Sequence, residues 1–293
     1  MKITGIVTDS HSGITQQEAA EWGIKVLPMP FYIEGECYYE DVTLSREKFF
    51  ETLASGVTVT TSQPSPDAVM KLWNEALQEY EEIVYIPISS GLSGSCATAT
   101  AFAQEDKYNG RVFVVDNGRV STPLRRSIMD AMELIEEGYS AQQIKTCLES
   151  AKDNMNIYIA VENLESLRRG GRISATTAVV GTMLNIKPVL QFTTGMLEPY
   201  KKCRGFKTAR KMMIEAMHQD IETRFKEWYD RGEICLMAAS SASPEVTAGW
   251  IKEIEEAFPG MRVLCDNLSL GVSSHTGSGA LGIGCSCRPA RPE

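Results

Sequence analysis

The sequence lacks the long apolar runs of a membrane protein and the apolar core of an export signal. The most apolar stretch, residues 175–190, is interrupted by polar side chains and falls short of the ~18 uninterrupted apolar residues of a membrane span. Near the N-terminus, Asp9 interrupts the chain before the ~7–15 apolar residues of a signal peptide can form. We therefore expect a cytoplasmic protein with no integral membrane association.

Positive charge is also in deficit. The 293 residues include 29 Lys and Arg against 38 Asp and Glu, which gives a formal net charge of −9 at pH 7. The field of an acidic protein repels polyanions, so we expect no nucleic-acid partner. With 43% hydrophobic residues, a chain of this length is expected to form about two globular domains.

The eight cysteines include no C-x-x-C pair. They are scattered, mostly through apolar runs, which favours buried thiols in a reducing compartment over disulfides or zinc ligands. The segment Cys285-Ser286-Cys287 supplies too few ligands for a metal, and we expect a surface tail there. No metal site is predicted.

Nucleotide-binding motifs are missing as well. No Walker A loop is present, and Gly277-Ser278-Gly279-Ala280-Leu281-Gly282 matches the dinucleotide pattern G-x-G-x-x-G only formally. The short segment after it leaves no room for another strand and an acidic residue about 20 positions on. We therefore expect no cofactor and no nucleotide hydrolysis by this chain, and we interpret these glycines as a turn.

Apolar runs alternate with capped helical patterns through the first half, which predicts β-α-β units around a mainly parallel sheet. Helix starts are marked by Thr15 with Glu18, by Ser45, by Ser65 before Pro66, and by Ser140. Strands are expected at residues 2–8, 24–27, 82–88, 111–116 and 156–161, with a small hairpin at 32–38.

The second half of the sequence predicts a different succession of helices and strands. We expect a helix ending at Arg168-Arg169-Gly170-Gly171, a short helix to about Leu184, and a hairpin over residues 186–202 turning at Thr194-Gly195. A helix at 207–231, a strand at 233–240, a helix at 244–258 and a strand at 261–269 follow. The prediction is an α/β protein with a three-layer α/β/α domain over residues 1–160, mainly parallel, and a mixed-sheet α/β domain over 161–293.

Two segments place small hydroxyl residues where the chain enters a helix. These are Thr60-Thr61-Ser62-Gln63-Pro64-Ser65-Pro66 and Ser89-Ser90-Gly91-Leu92-Ser93-Gly94-Ser95. Free backbone amides and the positive end of a helix favour an anion at such a place, and glycine lets a ligand approach the backbone. The alternative is that these hydroxyls only cap helices. The residues leave both interpretations open.

A serine hydrolase is one alternative function, with Ser93 as nucleophile and His275 as base. Its elbow motif is G-x-S-x-G, whereas Gly91-Leu92-Ser93-Gly94-Ser95 lacks the final glycine and has one too early. No acidic partner of His275 is evident nearby in the sequence, although triad members can be far apart along a chain. A lipid esterase or acyl hydrolase therefore stays open, as does a catalytic kinase subunit acting on a small polyol.

Basic residues cluster at Arg168-Arg169-Gly170-Gly171-Arg172 and at residues 201–207. On an acidic protein, arginines beside glycine turns suit recognition of a phosphate or an acidic partner, because guanidinium groups bind oxyanions bidentately. The alternative is that these cations offset helix dipoles and face water.

Taken together, the chain resembles the DegV family of bacterial fatty-acid-binding proteins, which carry lipid for a fatty-acid kinase. The similarity extends over nearly the full length. It is carried by Thr8-Asp9-Ser10, Val26-Leu27-Pro28-Met29-Pro30, Thr61-Ser62-Gln63-Pro64-Ser65, Ile88-Ser89-Ser90-Gly91-Leu92-Ser93-Gly94, Gly170-Gly171-Arg172-Ile173, Leu184-Asn185-Ile186-Lys187-Pro188 and His275-Thr276-Gly277.

This resemblance implies two α/β domains clasping one long-chain fatty acid, with its carboxylate at the hydroxyl loops. The chain would be no enzyme: it would present the carboxylate to a separate kinase that holds ATP and metal. One departure is Ser278, where the family often has proline. The implied ligand-binding residues are Thr61, Ser62, Ser93, Gly94, His275 and Thr276, and the implied contacts with phosphate or the kinase are Arg172 and Arg204.

Overall fold

The computed structural model describes residues 2–162, 164–173, 186–193 and 195–291. The chain divides into two compact units: unit 1 is Met1–Lys152, Ser269–Gly271 and Pro289–Glu293, and unit 2 is Asp153–Leu268 and Val272–Arg288. This division differs from the domain boundary expected near residue 160, because it falls after Lys152 and assigns two later segments to unit 1. The helix expected to end near Leu184 and the turn residue Thr194 lie outside the described residues.

Unit 1 is built mainly from residues 2–150. Its elements are β1 (Lys2–Asp9), α1 (Gln16–Trp22), β2 (Lys25–Leu27), β3 (Pro30–Ile33), β4 (Glu36–Tyr39), α2 (Arg46–Ala54), β5 (Val59–Thr61), α3 (Pro66–Glu79), β6 (Tyr80–Ile86), α4 (Ser95–Phe102), β7 (Val112–Val114), α5 (Ser121–Glu136) and α6 (Ala141–Ser150).

A four-stranded parallel sheet in the order β2-β1-β6-β7 forms the centre of unit 1. Successive strand residues point to opposite faces, so Ile6 packs with α1, α5 and α6, whereas Val7 packs with α3 and α4. Helices therefore cover both faces, and the predicted three-layer, mainly parallel arrangement is confirmed.

A second, antiparallel sheet in unit 1 has the order β4-β3-β5. The predicted hairpin corresponds to β3 and β4. Strand β5 was not predicted, because its three residues contain a single apolar side chain and show no alternation. It forms by pairing with β3, where Thr61 lies opposite Phe31. Thr61 therefore ends an edge strand of this small sheet rather than lying in a helix-entry loop.

The predicted helix caps of unit 1 are confirmed. Thr15 and Glu18 form a reciprocal capping box, and Ser140 forms another with Gln143. Ser45 and Ser65 each accept a backbone amide from the first turn of their helices. The start of α5 carries no such signal in the sequence, because its N-cap residue, Val120, provides no side-chain cap.

Unit 2 contains a six-stranded sheet in the order β10-β9-β8-β13-β11-β12, in which only β11 and β12 are parallel. This confirms the predicted mixed sheet. The elements are β8 (Met155–Ala160), α7 (Glu165–Arg169), β9 (Ile186–Thr193), β10 (Met196–Arg204), α8 (Gly205–Glu222), α9 (Lys226–Asp230), β11 (Ile234–Ser240), α10 (Pro244–Ala257), β12 (Val263–Asn267), α11 (Leu270–Thr276, whose first two residues belong to unit 1) and β13 (Leu281–Cys287).

The single helix predicted over residues 207–231 is wrong. Helix α8 ends at Glu222 and α9 begins at Lys226. Between them the chain leaves the helical path, and the side chain of Phe225 is buried in the core that α8 and α10 form on the sheet. The amide of Phe225 donates to the Asp220 carbonyl at 2.9 Å, which closes the break. Burial of one aromatic ring interrupts a pattern that is helical by local sequence alone.

The surface tail expected at Cys285-Ser286-Cys287 is also wrong. These residues belong to β13, which lies between β8 and β11 and is buried along its whole length. Its small residues show no strand pattern, and the expectation that no strand follows the glycine-rich segment is therefore wrong as well. The same small residues suit an interior strand, since a Cβ on Gly284 would lie 3.0 Å from the Asn156 carbonyl oxygen.

We predict that Gly284→Ala lowers the free energy of unfolding by about 1–3 kcal/mol, because the added methyl group crowds the backbone of β8. A matched control is Gly249→Ala in α10, where nothing lies within 4 Å of an added Cβ. There the alanine should be neutral or stabilising by up to about 1 kcal/mol. Urea unfolding of both variants checks this, and equal midpoints would contradict the close packing of β13.

Candidate functional site

The carboxyl edge of the parallel sheet in unit 1 has the geometry of a ligand site. Strands β1 and β6 are neighbours, but α1 follows β1 onto one face of the sheet and α4 follows β6 onto the other. In such sheets the crevice between the two diverging connections is the usual place for a ligand. The loop after β6, residues 87–94, carries Ser93 and Gly94 into the start of α4.

Hydrogen bonds hold the loop that carries Ser93. The amide of Ser93 donates to the Ser89 carbonyl at 3.1 Å, and the amide of Gly91 donates to Ser89 Oγ at 3.2 Å. Ser90 Oγ donates to Asp116 Oδ2 at 2.6 Å. Burial opposes ionisation of Asp116, but this bond, the Ser90 amide and Lys152 outweigh it and hold the pKa of the carboxyl below its ordinary value. Hydrogen bonds within unit 1 thus hold the loop in place.

The Ser93 hydroxyl faces the first turn of α4. Its oxygen accepts the Ser95 amide at 3.2 Å and donates to no residue in the described part of the chain. A hydroxyl in this state caps the helix and still has its proton for an anionic acceptor. Capping and ligand binding are therefore compatible at Ser93, and its ligand role stays a prediction.

The segment after Thr61 lies against the start of α4. Gln63 Oε1 accepts the Thr98 hydroxyl at 3.3 Å, and a Cβ on Gly94 would lie 3.2 Å from the same oxygen. Ser62 is exposed and donates its hydroxyl to the Gln63 carbonyl at 3.0 Å. The two hydroxyl segments, separate in sequence, are therefore brought together in unit 1, although their roles stay predictions.

Ser95 is a residue that sequence analysis did not single out. It is the first residue of α4 and is only 4% exposed, and its Oγ has no hydrogen-bond partner among the described residues. A buried hydroxyl without a partner is unfavourable by about 1–3 kcal/mol. An anion held at the positive end of α4 would suit this hydroxyl as well as that of Ser93. The sequence signal was only that Ser95 is the fourth serine of the segment at residues 89–95.

In unit 2, His275 lies in the last turn of α11 and packs against Gly170. A Cβ added to Gly170 would lie 2.4 Å from His275 Nδ1, so only glycine leaves room for the imidazole. Arg172 Nη1 donates to the Gly170 carbonyl. The structure therefore brings His275, Gly170 and Arg172 together. Thr276 is buried, and its Oγ1 lies 3.4 Å from the Val272 carbonyl oxygen.

The turn after Thr276 is held by Ser241. The hydroxyl of Ser241 donates to the Gly277 carbonyl at 2.7 Å and accepts the Ala280 amide at 3.0 Å. Gly277 and Gly279 have φ values of 79° and 83°, which favour glycine. The expected glycine turn is confirmed, and contacts outside the turn fix it although Ser278 stands where the family often has proline.

Arg204 is the last residue of β10 and is exposed. Its side chain forms no hydrogen bond or ion pair with a described residue. Lys201 and Lys202, which precede it on the same strand, are exposed as well. This end of β10 is a cationic surface on unit 2, and its role in binding phosphate or a partner stays a prediction.

Glu40 contributes an unusual carboxylate next to the first turn of α11. Its Oε2 accepts the Leu270 amide at 2.8 Å, and its Oε1 lies 3.9 Å from Arg46 Nη1. Burial is the largest influence and raises the pKa of Glu40 to about 7, even though the Leu270 amide favours the ionised form. Glu40 therefore titrates near neutral pH in the folded protein.

We predict that Glu40 makes the protein less stable as the pH rises from about 4.5 to about 7. In that range the folded state keeps a proton that the unfolded state has lost, so ionisation favours unfolding. The free energy of unfolding of Glu40→Gln should therefore exceed that of wild type by up to about 3 kcal/mol at pH 8 and equal it at pH 4. Urea unfolding across pH checks this, with Glu36→Gln as an exposed control. An unchanged pH dependence in Glu40→Gln would contradict it.

Among the described residues, no group of three His, Cys, Asp or Glu side chains could hold a metal, and no helix is long and apolar enough to cross a bilayer.

Known proteins resemble this chain over nearly its whole length. Residues 3–287 match the family model described as "Uncharacterised protein, DegV family". A DegV domain-containing protein of Deinococcus radiodurans is 30% identical over 279 residues, which cover 95% of this chain and 96% of the relative.

Solved structures of DegV proteins are also similar to this chain over nearly its full length. One is a DegV family protein from Thermus thermophilus, whose structure is described by its fatty acid binding. It is 31% identical in sequence, with a TM-score of 0.86 over 98% of this chain and 100% of that chain. DegV from Bacillus subtilis, described as a fatty acid binding protein, is 27% identical, with a TM-score of 0.83 over 98% and 100% of the two chains. The chain belongs to the DegV family.

Proposed function

We propose that this protein binds one long-chain fatty acid and presents its carboxylate to a separate kinase, which converts it to an acyl phosphate. The observation that carries the proposal is the whole-length likeness to the Thermus thermophilus protein described by its fatty acid binding, at 31% identity. The hydroxyl-rich edge of unit 1 supports the same proposal, because it offers neutral donors and a helix N-terminus to an anionic head group.

We expect the head group and the tail of the fatty acid to contribute differently to binding. Thr61 and Ser93 hydrogen-bond the carboxylate, with Ser62 and Gly94 lining the same place and His275 and Thr276 close to the head group. Neutral hydrogen bonds contribute only about 0.5–1.5 kcal/mol each, whereas every buried methylene adds about 0.8 kcal/mol. Most of the affinity therefore comes from the tail, and the hydroxyls serve to orient the carboxylate.

On this proposal the chain is a bacterial, cytoplasmic carrier and not an enzyme. It contains no Walker A loop, so ATP and metal belong to the partner kinase, and fixed orientation is what this chain contributes to the reaction. Arg204 and Arg172 are the cations proposed to meet the phosphate or the kinase.

The test is denaturing extraction of the purified protein followed by mass spectrometry of the released lipid. We predict about one long-chain fatty acid per chain, because a tail that buries many methylenes is retained through purification. Protein that yields no lipid and takes up no added oleate would contradict the proposal. Turnover of an ester by the isolated chain would favour the esterase alternative, and ATP consumption without a partner would favour a polyol kinase.

A further inference from the structure

Asp9 is a fully buried carboxylate at the end of β1, where the crevice of unit 1 begins. It is 0% exposed, and burying an ionised carboxylate is very unfavourable unless hydrogen bonds replace water. Asp9 Oδ2 accepts the amide of Ile88 at 2.8 Å, and Oδ1 accepts the amide of His11 at 2.9 Å. The same Oδ1 lies 3.1 Å from His11 Nδ1. Asp9 thus joins two loops at this edge of the sheet.

The first of these loops carries the proposed head-group residues. Ile88 immediately precedes Ser89, whose carbonyl accepts the amides of Leu92 and Ser93 at 3.0 and 3.1 Å. The amide of Ser89 itself donates to the Arg119 carbonyl at 2.8 Å. Because the turn that ends on Ser93 begins next to Ile88, a displacement of Ile88 is passed on to the Ser93 hydroxyl.

His11 extends the contact from Asp9 to the start of α11. A Cβ on Gly271 would lie 2.7 Å from His11 Nε2, so the imidazole rests on the bare backbone of this glycine. The adjacent Leu270 is buried with Phe31, Ile33 and Phe49. Gly271, which belongs to unit 1, therefore lies against the imidazole that Asp9 orients.

We propose that Asp9 is the positioning residue of the head-group site: through Ile88 it fixes the loop of Ser93, and through His11 it supports Gly271, which belongs to unit 1. This inference rests on the proposed function. It also gives a role to Thr8-Asp9-Ser10, a motif that ligand contacts alone leave unexplained. Ser10 adds to the same arrangement, because its Oγ accepts the Met29 amide at 3.1 Å.

The informative substitution is Asp9→Asn, which keeps the size of the side chain. If the amide oxygen faces His11, the NH2 group faces the Ile88 amide, and two donors then oppose each other. In the opposite orientation the NH2 group faces the His11 amide, so in either case one of the two backbone bonds that Asp9 accepts is lost and the site shifts. A matched control is Asp130→Asn, which alters another fully buried carboxylate of unit 1, one that accepts from Arg126 within α5.

The readout is the carboxyl resonance of bound oleate labelled with 13C at C1, measured by NMR together with lipid content and thermal midpoint. We expect Asp9→Asn to retain about one oleate per chain but to shift the resonance by more than its line width. We also expect the kcat of acyl-phosphate formation to fall at least tenfold with the KM for loaded protein unchanged. Asp130→Asn should lower the thermal midpoint and leave the resonance in place.

A second pair of variants covers the case in which Asp9→Asn does not fold. Gly271→Ala displaces His11 without altering Asp9, whereas Gly249→Ala adds the same methyl group in open space. Gly271→Ala should shift the oleate resonance and Gly249→Ala should not.

The outcomes separate this inference from the function on which it rests. Wild-type protein that holds no oleate overturns the proposed function and the inference with it. Wild-type protein that holds oleate, with a wild-type resonance in folded Asp9→Asn or Gly271→Ala, overturns only the role of Asp9. An equal shift in Asp130→Asn also overturns it, because the effect would then follow from lost stability.

Discussion

Replacing Thr61 and Ser93 together by alanine is expected to lower acyl-phosphate formation by the partner kinase roughly a hundredfold while most of the fatty acid stays bound. The two hydroxyls contribute only about 0.5–1.5 kcal/mol each to binding, against the much larger contribution of the buried tail. Their main effect is on the direction in which the carboxylate faces the kinase. A misplaced carboxylate can still bind, but it reaches the reactive geometry rarely.

Lipid content by mass spectrometry and single-turnover acyl-phosphate yield, measured on the same preparation, check this prediction. A suitable control is Thr60→Ala, which removes an exposed hydroxyl from β5 on the face opposite to Thr61. The control should behave like wild type. An unchanged yield in the double variant would show that Thr61 and Ser93 have structural roles only, and Ser93 would then be a helix cap.

Arg204→Ala is expected to slow kinase-coupled turnover by about 10- to 150-fold, which corresponds to about 1.5–3 kcal/mol for a charge-assisted contact. The arginine is exposed and ends a strand on a chain of net charge −9. A contact made mainly with the kinase or the transferred phosphate affects the rate and leaves the ground-state carboxylate alone. The bound lipid and the thermal midpoint should therefore remain those of wild type.

Arg262→Ala is the matched control for Arg204→Ala, because it removes the same charge from another exposed position of unit 2. Turnover at the wild-type rate in Arg204→Ala would refute the proposed contact. Loss of lipid or of folding would also refute it, since the side chain would then support the structure or the ground state. An equal loss of turnover in both variants would indicate a general effect of net charge.

Predictions made from local sequence patterns agree best with the structure. The caps at Thr15, Ser45, Ser65 and Ser140 depend on bonds within one helical turn, so short sequence windows contain all the information needed. The parallel core of unit 1 and the mixed sheet of unit 2 were predictable for a similar reason, since apolar alternation and loop length reflect which strands can pair.

Elements without local sequence signals could not be predicted from the sequence. Strand β5 has one apolar residue and exists because β3 offers it an edge. Strand β13 is made of small residues, and only pairing with β8 and β11 gives it a place in the sheet. The break between α8 and α9 depends on burial of Phe225. In each case a long-range contact outweighs local preference.

The candidate site likewise depends partly on local sequence and partly on long-range contacts. The sequence by itself determined which residue types are available: hydroxyls and glycines before α4, arginines beside glycine turns, and a histidine before a glycine turn. Tertiary structure alone decided which of them meet. Asp9 and Ile88 are 79 positions apart, and Gly170 receives His275 from a distant helix. Hydrogen bonds and steric fit act over a few ångströms of space, whereas sequence patterns report only neighbours along the chain, so the site becomes visible only after folding.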